Sequence, residues 1–315
     1  METVARRSDS ETASLHLLVS GASGFIGSAL VPFLMTGGHR VTRLVRRASQ
    51  PARQHASWDP KAGSVDLSGL SNLDAVVHLA GENIVGRWTA AKKARIRDSR
   101  IRGTRVLCEA LASLAQPPRT LVCASGVGYY GDRGDEALTE DSGSGSGFLA
   151  EVCREWEAAA EPARQRGIRV VHLRFGVVLG PAGGPLKLML PPFQLGLGGP
   201  LGSGRQYFSW VAIDDVLGAI RWALTQEQLQ GPVNVVSPNP VTNLEFTKTL
   251  ARVLRRPAVL PAPAPMLRMI LGEMADEALL SSARVVPSRL LAQGYVFREP
   301  ELEPALRHLL GRRQP

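Results

Sequence analysis

Ser20-Gly21-Ala22-Ser23-Gly24-Phe25-Ile26-Gly27 is the stretch that decides how this chain folds. It follows the apolar run His16-Leu-Leu-Val-Ser20, which reads as a buried strand. It opens Phe25 to Thr36, where Ile26, Leu30, Phe33 and Leu34 recur at helical spacing and Gly37-Gly38 marks the end. Strand, glycine turn and helix in that order begin a parallel βαβ unit. The spacing is G-x-x-G-x-x-G, and each glycine has a physical task. Gly21 permits the tight turn, Gly24 lets the backbone approach a pyrophosphate, and Gly27 lets the helix pack close on the strand. The start of the helix offers free N–H groups and a partial positive charge, with Ser23, Phe25 and Ile26 in the same turn. The arrangement predicts a dinucleotide site.

Outward from the turn, Val41 to Val45 reads as a second strand, ending Leu44-Val45-Arg46-Arg47 without an acid. A carboxylate here would hold both ribose hydroxyls of NAD. A guanidinium pairs instead with a 2′-phosphate. The cofactor expected is therefore NADP(H), with Arg46 the main contact, Arg47 the second choice and Val45 beside them. Ala75 to Ala80 reads as a strand covered on both faces. Then come a long helix (Thr89 to Leu114), a strand (Thr120 to Ala124), a loop (Gly131 to Gly147), a helix (Phe148 to Arg166) and a fifth strand (Arg169 to Arg174). Pro181 to Gly204 has no clear period. Asp214 to Thr225 is helical, Pro232 to Val236 a strand and Asn243 to Leu254 helical; a proline-rich turn region and two or three short helices finish the chain. The fold predicted is α/β: a Rossmann-type doubly wound parallel sheet with a smaller mixed C-terminal lobe. Residues 1–14 read as a disordered leader, 15–176 and 208–238 as the NADP-binding domain, and 177–207 and 239–315 as the small substrate and C-terminal lobe.

Composition narrows the classes. The 315 residues are 44% hydrophobic and 21% charged, which excludes a disordered chain. No run of about 18 apolar residues occurs, so no spanning helix and no membrane role are expected. Cys108, Cys123 and Cys153 form no C-x-x-C pair, and the six histidines lack metal spacing. A reducing, cytoplasmic setting with no metal follows. His78 lies inside an apolar strand and reads as core. The net charge of +9 comes from scattered arginines without a nucleic-acid signature, so no nucleic-acid partner is expected.

The chain resembles the extended short-chain dehydrogenase/reductases, and within them an atypical branch of epimerase-family proteins. Besides the glycine turn, the matching segments are His78-Leu-Ala-Gly-Glu-Asn-Ile84, Arg87-Trp88, Asp98-Ser-Arg100, Gly128-Tyr-Tyr-Gly131, Arg174-Phe-Gly-Val-Val-Leu-Gly180, Leu195-Gly-Leu-Gly-Gly-Pro200 and Gly202-Ser-Gly204. Val286-Pro-Ser-Arg-Leu290 with Gly294-Tyr295 resembles the branch's small terminal domain. The resemblance implies further cofactor contacts from Leu79, Ala80 and Gly81 at the third strand's end, from Arg100 (Arg95 being the weaker candidate), and from Val178 near the nicotinamide. Packing alone would read Val178 as core.

The family's hydride transfer uses a Tyr-x-x-x-Lys pair. Here that helix reads Gly147-Phe-Leu-Ala-Glu-Val-Cys-Arg-Glu-Trp-Glu157, with Leu149 and Cys153 at the two positions. Neither side chain does that chemistry. The remaining catalytic candidates are Ser125 at the end of the fourth strand, Glu82 as general base, and Tyr130 or Tyr129 as a phenol. Glu82, Asn83, Arg87 and Trp88 form a polar-aromatic set expected to line a substrate pocket. Two functions follow from this reading. One is an NADP(H)-dependent oxidoreductase or epimerase acting on a small molecule. The other is a non-catalytic NADP(H)-binding regulatory or interaction protein. Neither the substrate nor the oligomeric state is written in the sequence.

Overall fold

The computed structural model describes residues 14–46 and 55–312, without the side chain of His55. The leader, apart from Ser14, and Arg47 lie outside them. An eight-stranded sheet forms the centre. Its strands are β1 (His16–Ser20), β2 (Arg40–Val45), β3 (His55–Asp59), β4 (Ser64–Asp66), β5 (Ala75–His78), β6 (Thr120–Gly126), β7 (Arg169–Phe175) and β8 (Gly231–Val235). The order across the sheet is β8-β7-β6-β5-β1-β2-β3-β4. Every pairing is parallel except β3 with β4. The fold is α/β and Rossmann-type.

The helices are α1 (Phe25–Thr36), α2 (Ala90–Ala112), α3 (Phe148–Ala158), α4 (Glu161–Gln165), α5 (Gly184–Gln194), α6 (Ile213–Thr225), α7 (Asn243–Leu254), α8 (Ala264–Leu271), α9 (Ser288–Ala292) and α10 (Leu302–Leu309). Strand pleating divides the apolar residues between two cores. Leu17, Val19, Val77 and Val122 join α1 and α6 on one face. Leu18, Val76, Leu121 and Cys123 join α2 and α4 on the other. A third core under the C-terminal region gathers Trp210 and Phe246 with α5, α7 and α10. No helix among the described residues is long and apolar enough to cross a membrane.

Three segments depart from the expectations. The β3–β4 hairpin was not predicted, because only Ala56 and Trp58 of β3 are buried apolar residues and its signal is short. The single helix expected over Phe148 to Arg166 is two, broken at Ala159-Ala160, where Pro162 starts α4 with no N–H to donate. The stretch expected to be irregular from Pro181 to Gly204 contains α5. Pro185 fits its first turn, and Leu186 and Phe193 fasten it to the third core.

Chain reversal at the sheet centre positions the site. β1 leads to β2 on one side, while β5 lies on its other side. This switch point opens a crevice at the strand C-terminal ends, directly over the glycine turn.

Two buried histidines stand in this sheet. His78 on β5 hydrogen-bonds with Ser20 through Nδ1 (2.6 Å) and with Thr104 through Nε2 (3.1 Å). Burial pulls its imidazole from 6.5 down to about 4, and burial does the same to His172 on β7. Both are neutral in the folded protein and titrate near 6.5 once unfolded. Below that pH the unfolded chain binds more protons, so stability falls as pH drops from about 6.5 to about 4 and levels off beneath it. Each histidine accounts for roughly 3 kcal/mol of that loss. Urea denaturation across this window should show a falling midpoint; an unchanged midpoint would contradict the neutral-histidine assignment.

Candidate functional site

A cleft of about 870 Å³ follows the switch point. Its floor is the glycine turn. Gly21 has φ +67°, and a Cβ there would come within 2.7 Å of the Leu79 carbonyl carbon. A Cβ on Gly27 would overlap the Gly21 carbonyl oxygen, so helix and strand can meet only with glycine at this point. Gly24 caps α1 without any side-chain hydrogen bond, and the first turn holds no acid. The leading N–H groups of α1, which have no partner inside the helix, are therefore left for a ligand.

The sequence candidates divide by position. Gly21, Gly24, Phe25, Ile26, Gly27, Leu79, Gly81 and Arg100 lie on the cleft wall, as do Ser125, Glu82 and Asn83. Arg46 is exposed just past β2, and no partner pairs with it among the described residues. Ser23 is exposed in the turn, Val45 closes β2, and Ala80 packs against the α2-side core. Val178 is 8% exposed and packs with the α1-side core, and its neighbour Val177 is the one on the wall.

Half of the polar-aromatic set points elsewhere. Trp88 is buried against Phe148 and donates Nε1–H to the Ile84 carbonyl at 2.7 Å. Arg87 donates to the Met269 carbonyl at 2.6 Å, tying this loop to α8. Both therefore hold the loop in place rather than line the pocket. Asn83 accepts from Val85 N–H at 2.9 Å and stabilises the turn. Glu82 is paired with Lys92 at 2.8 Å and Arg95 at 3.5 Å. Its hydrogen bond to Lys92 leads the effects that hold its carboxyl below the usual range, which makes it a poor proton acceptor.

Tyr130 is wholly buried. Its hydroxyl donates to Asn234 Oδ1 at 2.7 Å and accepts from Arg174 at 3.0 Å. Burial raises its pKa against the pull of Arg174, and its phenol cannot reach the cleft. Tyr129 stacks on Arg174, with 3.5 Å from guanidinium carbon to ring centre.

Ser125 keeps its place. It lies on the cleft wall one residue before the end of β6, and its hydroxyl donates to Glu157 Oε1 at 2.7 Å. Glu157 in turn holds Arg174 with two contacts of 2.8 Å. Burial would raise the Glu157 pKa, but the Arg174 hydrogen bond and charge, with the Ser125 hydrogen bond, outweigh it and leave the carboxyl ionised. This buried charged pair was missed from sequence. A signal existed: Leu149, Cys153 and Glu157 recur every four residues and share one face of α3. Leu149 and Cys153 line the cleft as that spacing requires, and burial pushes the Cys153 thiol up to about 11, so it stays protonated.

Arg100 is a largely enclosed guanidinium that forms no salt bridge among the described residues. It donates to the Glu82 and Ile96 carbonyls at 3.0 and 3.2 Å and lies 5.0 Å over Trp156.

The cleft is closed from above by Asp276 to Leu279, part of the π-helical turn Ala275–Leu280. Glu277 fastens this roof. Its carboxylate accepts from Phe148 N–H at 3.0 Å and Leu149 N–H at 3.1 Å, capping α3, whose own Ncap residue is Gly147. Gly147 has φ +101°, and a Cβ there would collide with the carboxylate. More than a hundred residues separate the two partners, so no local pattern announces them. Glu277→Ala is expected to cost about 1 kcal/mol, read from urea denaturation, with Glu277→Gln recovering part by keeping one acceptor. Unchanged stability in Glu277→Ala would refute the cap.

Known proteins resemble this chain along most of its length. Residues 17–236 match the NAD dependent epimerase/dehydratase family, and residues 262–309 match DUF1731, a domain of unknown function. Epimerase family protein Mb2239 of Mycobacterium bovis is 46% identical over 296 residues, covering 93% of this chain and 97% of that protein. The crystal structure of human epimerase family protein SDR39U1 with NADPH superposes with a TM-score of 0.86 at 38% identity, covering 94% of this chain and 99% of that one. A nucleoside-diphosphate sugar epimerase from Corynebacterium glutamicum gives 0.79 at 39% identity, covering 95% of this chain and 59% of that one.

Proposed function

Because the chain belongs to the NAD dependent epimerase/dehydratase family, we propose that its cleft binds NADP(H) and that the protein is an NADP(H)-dependent oxidoreductase or epimerase of a small molecule. One observation carries the cofactor reading: an uncapped helix start behind Gly21, Gly24 and Gly27, with Arg46 exposed just past the end of the neighbouring strand and unpaired among the described residues. The glycine turn fits the group: Gly21 and Gly27 let the turn, β5 and α1 close on one another, and this leaves the uncapped start of α1 at the floor of the cleft. The N–H groups of α1 would hold the pyrophosphate and Arg46 the 2′-phosphate. Leu79 to Gly81 would flank the adenosine, and Arg100 would face the ribose and phosphate side. The NADPH in the human SDR39U1 crystal supports the same reading.

When bound, a nicotinamide supplies or accepts a hydride. This chain's own contribution at the reacting end is Ser125. Its proton is held toward the ionised Glu157, so its lone pairs face the cleft and accept from a substrate hydroxyl. The Ser125–Glu157 contact fixes the orientation of that hydroxyl, and the charge of Arg174 balances Glu157 without entering the cleft. Arg174 and Glu157 are positioning residues, and Ser125 is the group placed to touch substrate.

A second reading, the non-catalytic NADP(H)-binding regulator, has its own support in Leu149, Cys153 and the withdrawn Tyr130. The test is direct. Calorimetry should find NADPH binding much more tightly than NADH, and equal affinities would reject the cofactor reading. Loss of reduced-nicotinamide absorbance with any member of a broad carbonyl panel then favours turnover, and an untouched cofactor across that panel favours the regulator. A small-molecule partner and a cytoplasmic setting complete the proposal, supported by three buried free thiols.

A further inference from the structure

We propose that the substrate end of the cleft takes an uncharged, largely apolar molecule bearing one hydroxyl or carbonyl oxygen, and that it rejects nucleoside diphosphates. This deepens the oxidoreductase reading and rests on it for which end of the cleft is left to substrate.

Away from the glycine turn, Val127, Leu149, Val152, Tyr207, Phe208 and Leu279 make the wall. Five charged side chains line the whole cleft among the described residues: Glu82, Asp132, Asp276, Glu277 and Arg100. Four of the five are acids. Glu82 and Asp276 are neutralised by Lys92 and Arg268, which are not part of the wall. Glu277 and Asp132 are occupied by backbone N–H groups. A diphosphate would bring its charge into a wall whose one cation, Arg100, already serves two carbonyls. Burying it there would leave charge unpaired, which costs far more than an apolar contact returns. Arg284 is a further cation beside a wall residue. It stacks on Tyr207 at 5.4 Å, is exposed, and is not on the wall.

Two polar side chains of this end, Gln206 and Ser209, are turned to the protein. Gln206 donates to the Leu201 and Leu279 carbonyls. Ser209 donates to the Ala283 carbonyl and accepts from Val285 N–H. Ser125 differs from these two: Glu157 uses its hydrogen and leaves its lone pairs for the cleft. One buried acceptor in an apolar wall matches one hydroxyl on an apolar molecule, or the corresponding carbonyl after oxidation.

Phenylethanol, acetophenone, UDP and UDP-glucose serve as probes for the full chain, with and without NADP(H), by saturation-transfer NMR and calorimetry. The aromatic alcohol and ketone should bind, and the two nucleotides should not. Leu149→Gln should weaken the aromatic probes roughly tenfold or more. Leu279→Gln, on the opposite wall, repeats the test should Leu149→Gln fail to fold. Saturable binding of UDP or UDP-glucose in this cleft overturns the proposal, as does failure of both aromatic probes to bind. Loss of NADP(H) binding with the aromatic probes still bound overturns only the cofactor reading.

Discussion

Glu157→Ala should destabilise the protein by about 3–5 kcal/mol, the usual cost of leaving a buried charge without its partner. The partner is Arg174, 3% exposed and gripped by two hydrogen bonds of 2.8 Å. With Glu157 gone, the guanidinium keeps, among the described residues, only Tyr130 as an acceptor and the Tyr129 face as a neighbour. Neither neutralises it. Tyr130 and Asn234 are themselves buried and satisfied through this network, so the damage spreads along β7 and β8. The Glu157→Gln, Arg174→Met double variant should recover most of the loss, because it removes both charges together. The pH dependence has a definite sign. A carboxyl held below its unfolded pKa contributes stability above that unfolded value, and the contribution disappears as pH falls through the folded one. The penalty of Glu157→Ala should therefore be full near neutrality and shrink in acid. Denaturation by urea at neutral pH decides the matter: a loss under about 1 kcal/mol would mean the pair is not buried as described.

This pair also shows what the sequence could and could not tell. The glycine turn and the apolar strands were legible because their signals are local: spacing, period and a helix start within a few residues. Glu157 was legible only as the next step of the Leu149-Cys153 face, and its partner Arg174 sits on a strand that reads as apolar. Tyr130 has the composition of a catalytic phenol, but burial is a tertiary property that composition does not carry. Trp88 and Arg87 misled for the same reason: an aromatic and a cation in a loop look like ligand contacts until Phe148 and the Met269 carbonyl come into range. Glu277 and Gly147 lie far apart in the chain, and only folding joins them. The helix α5 was hidden by its prolines, which local propensity counts against a helix although Leu186 and Phe193 anchor it in the core.

Arg46→Asp should reverse the cofactor preference. Arg46 follows the last residue of β2, exposed and unpaired among the described residues, beside a turn that leaves the α1 start open. A guanidinium there meets a 2′-phosphate dianion with two hydrogen bonds. Losing one partner of such a charged pair costs about 2 kcal/mol or more, roughly thirtyfold in affinity for NADPH. The aspartate adds repulsion to that loss. It also offers two acceptors to ribose hydroxyls, so NADH binding should strengthen in the same variant. Arg46→Ala separates the two effects, since it should lose NADPH without gaining NADH. The wild-type preference should weaken with added salt, because the contact is exposed and screened. Calorimetry with both reduced cofactors on all three proteins is the measurement. If Arg46→Asp binds NADPH as the parent does, the phosphate is held elsewhere and Arg46 is only a surface charge.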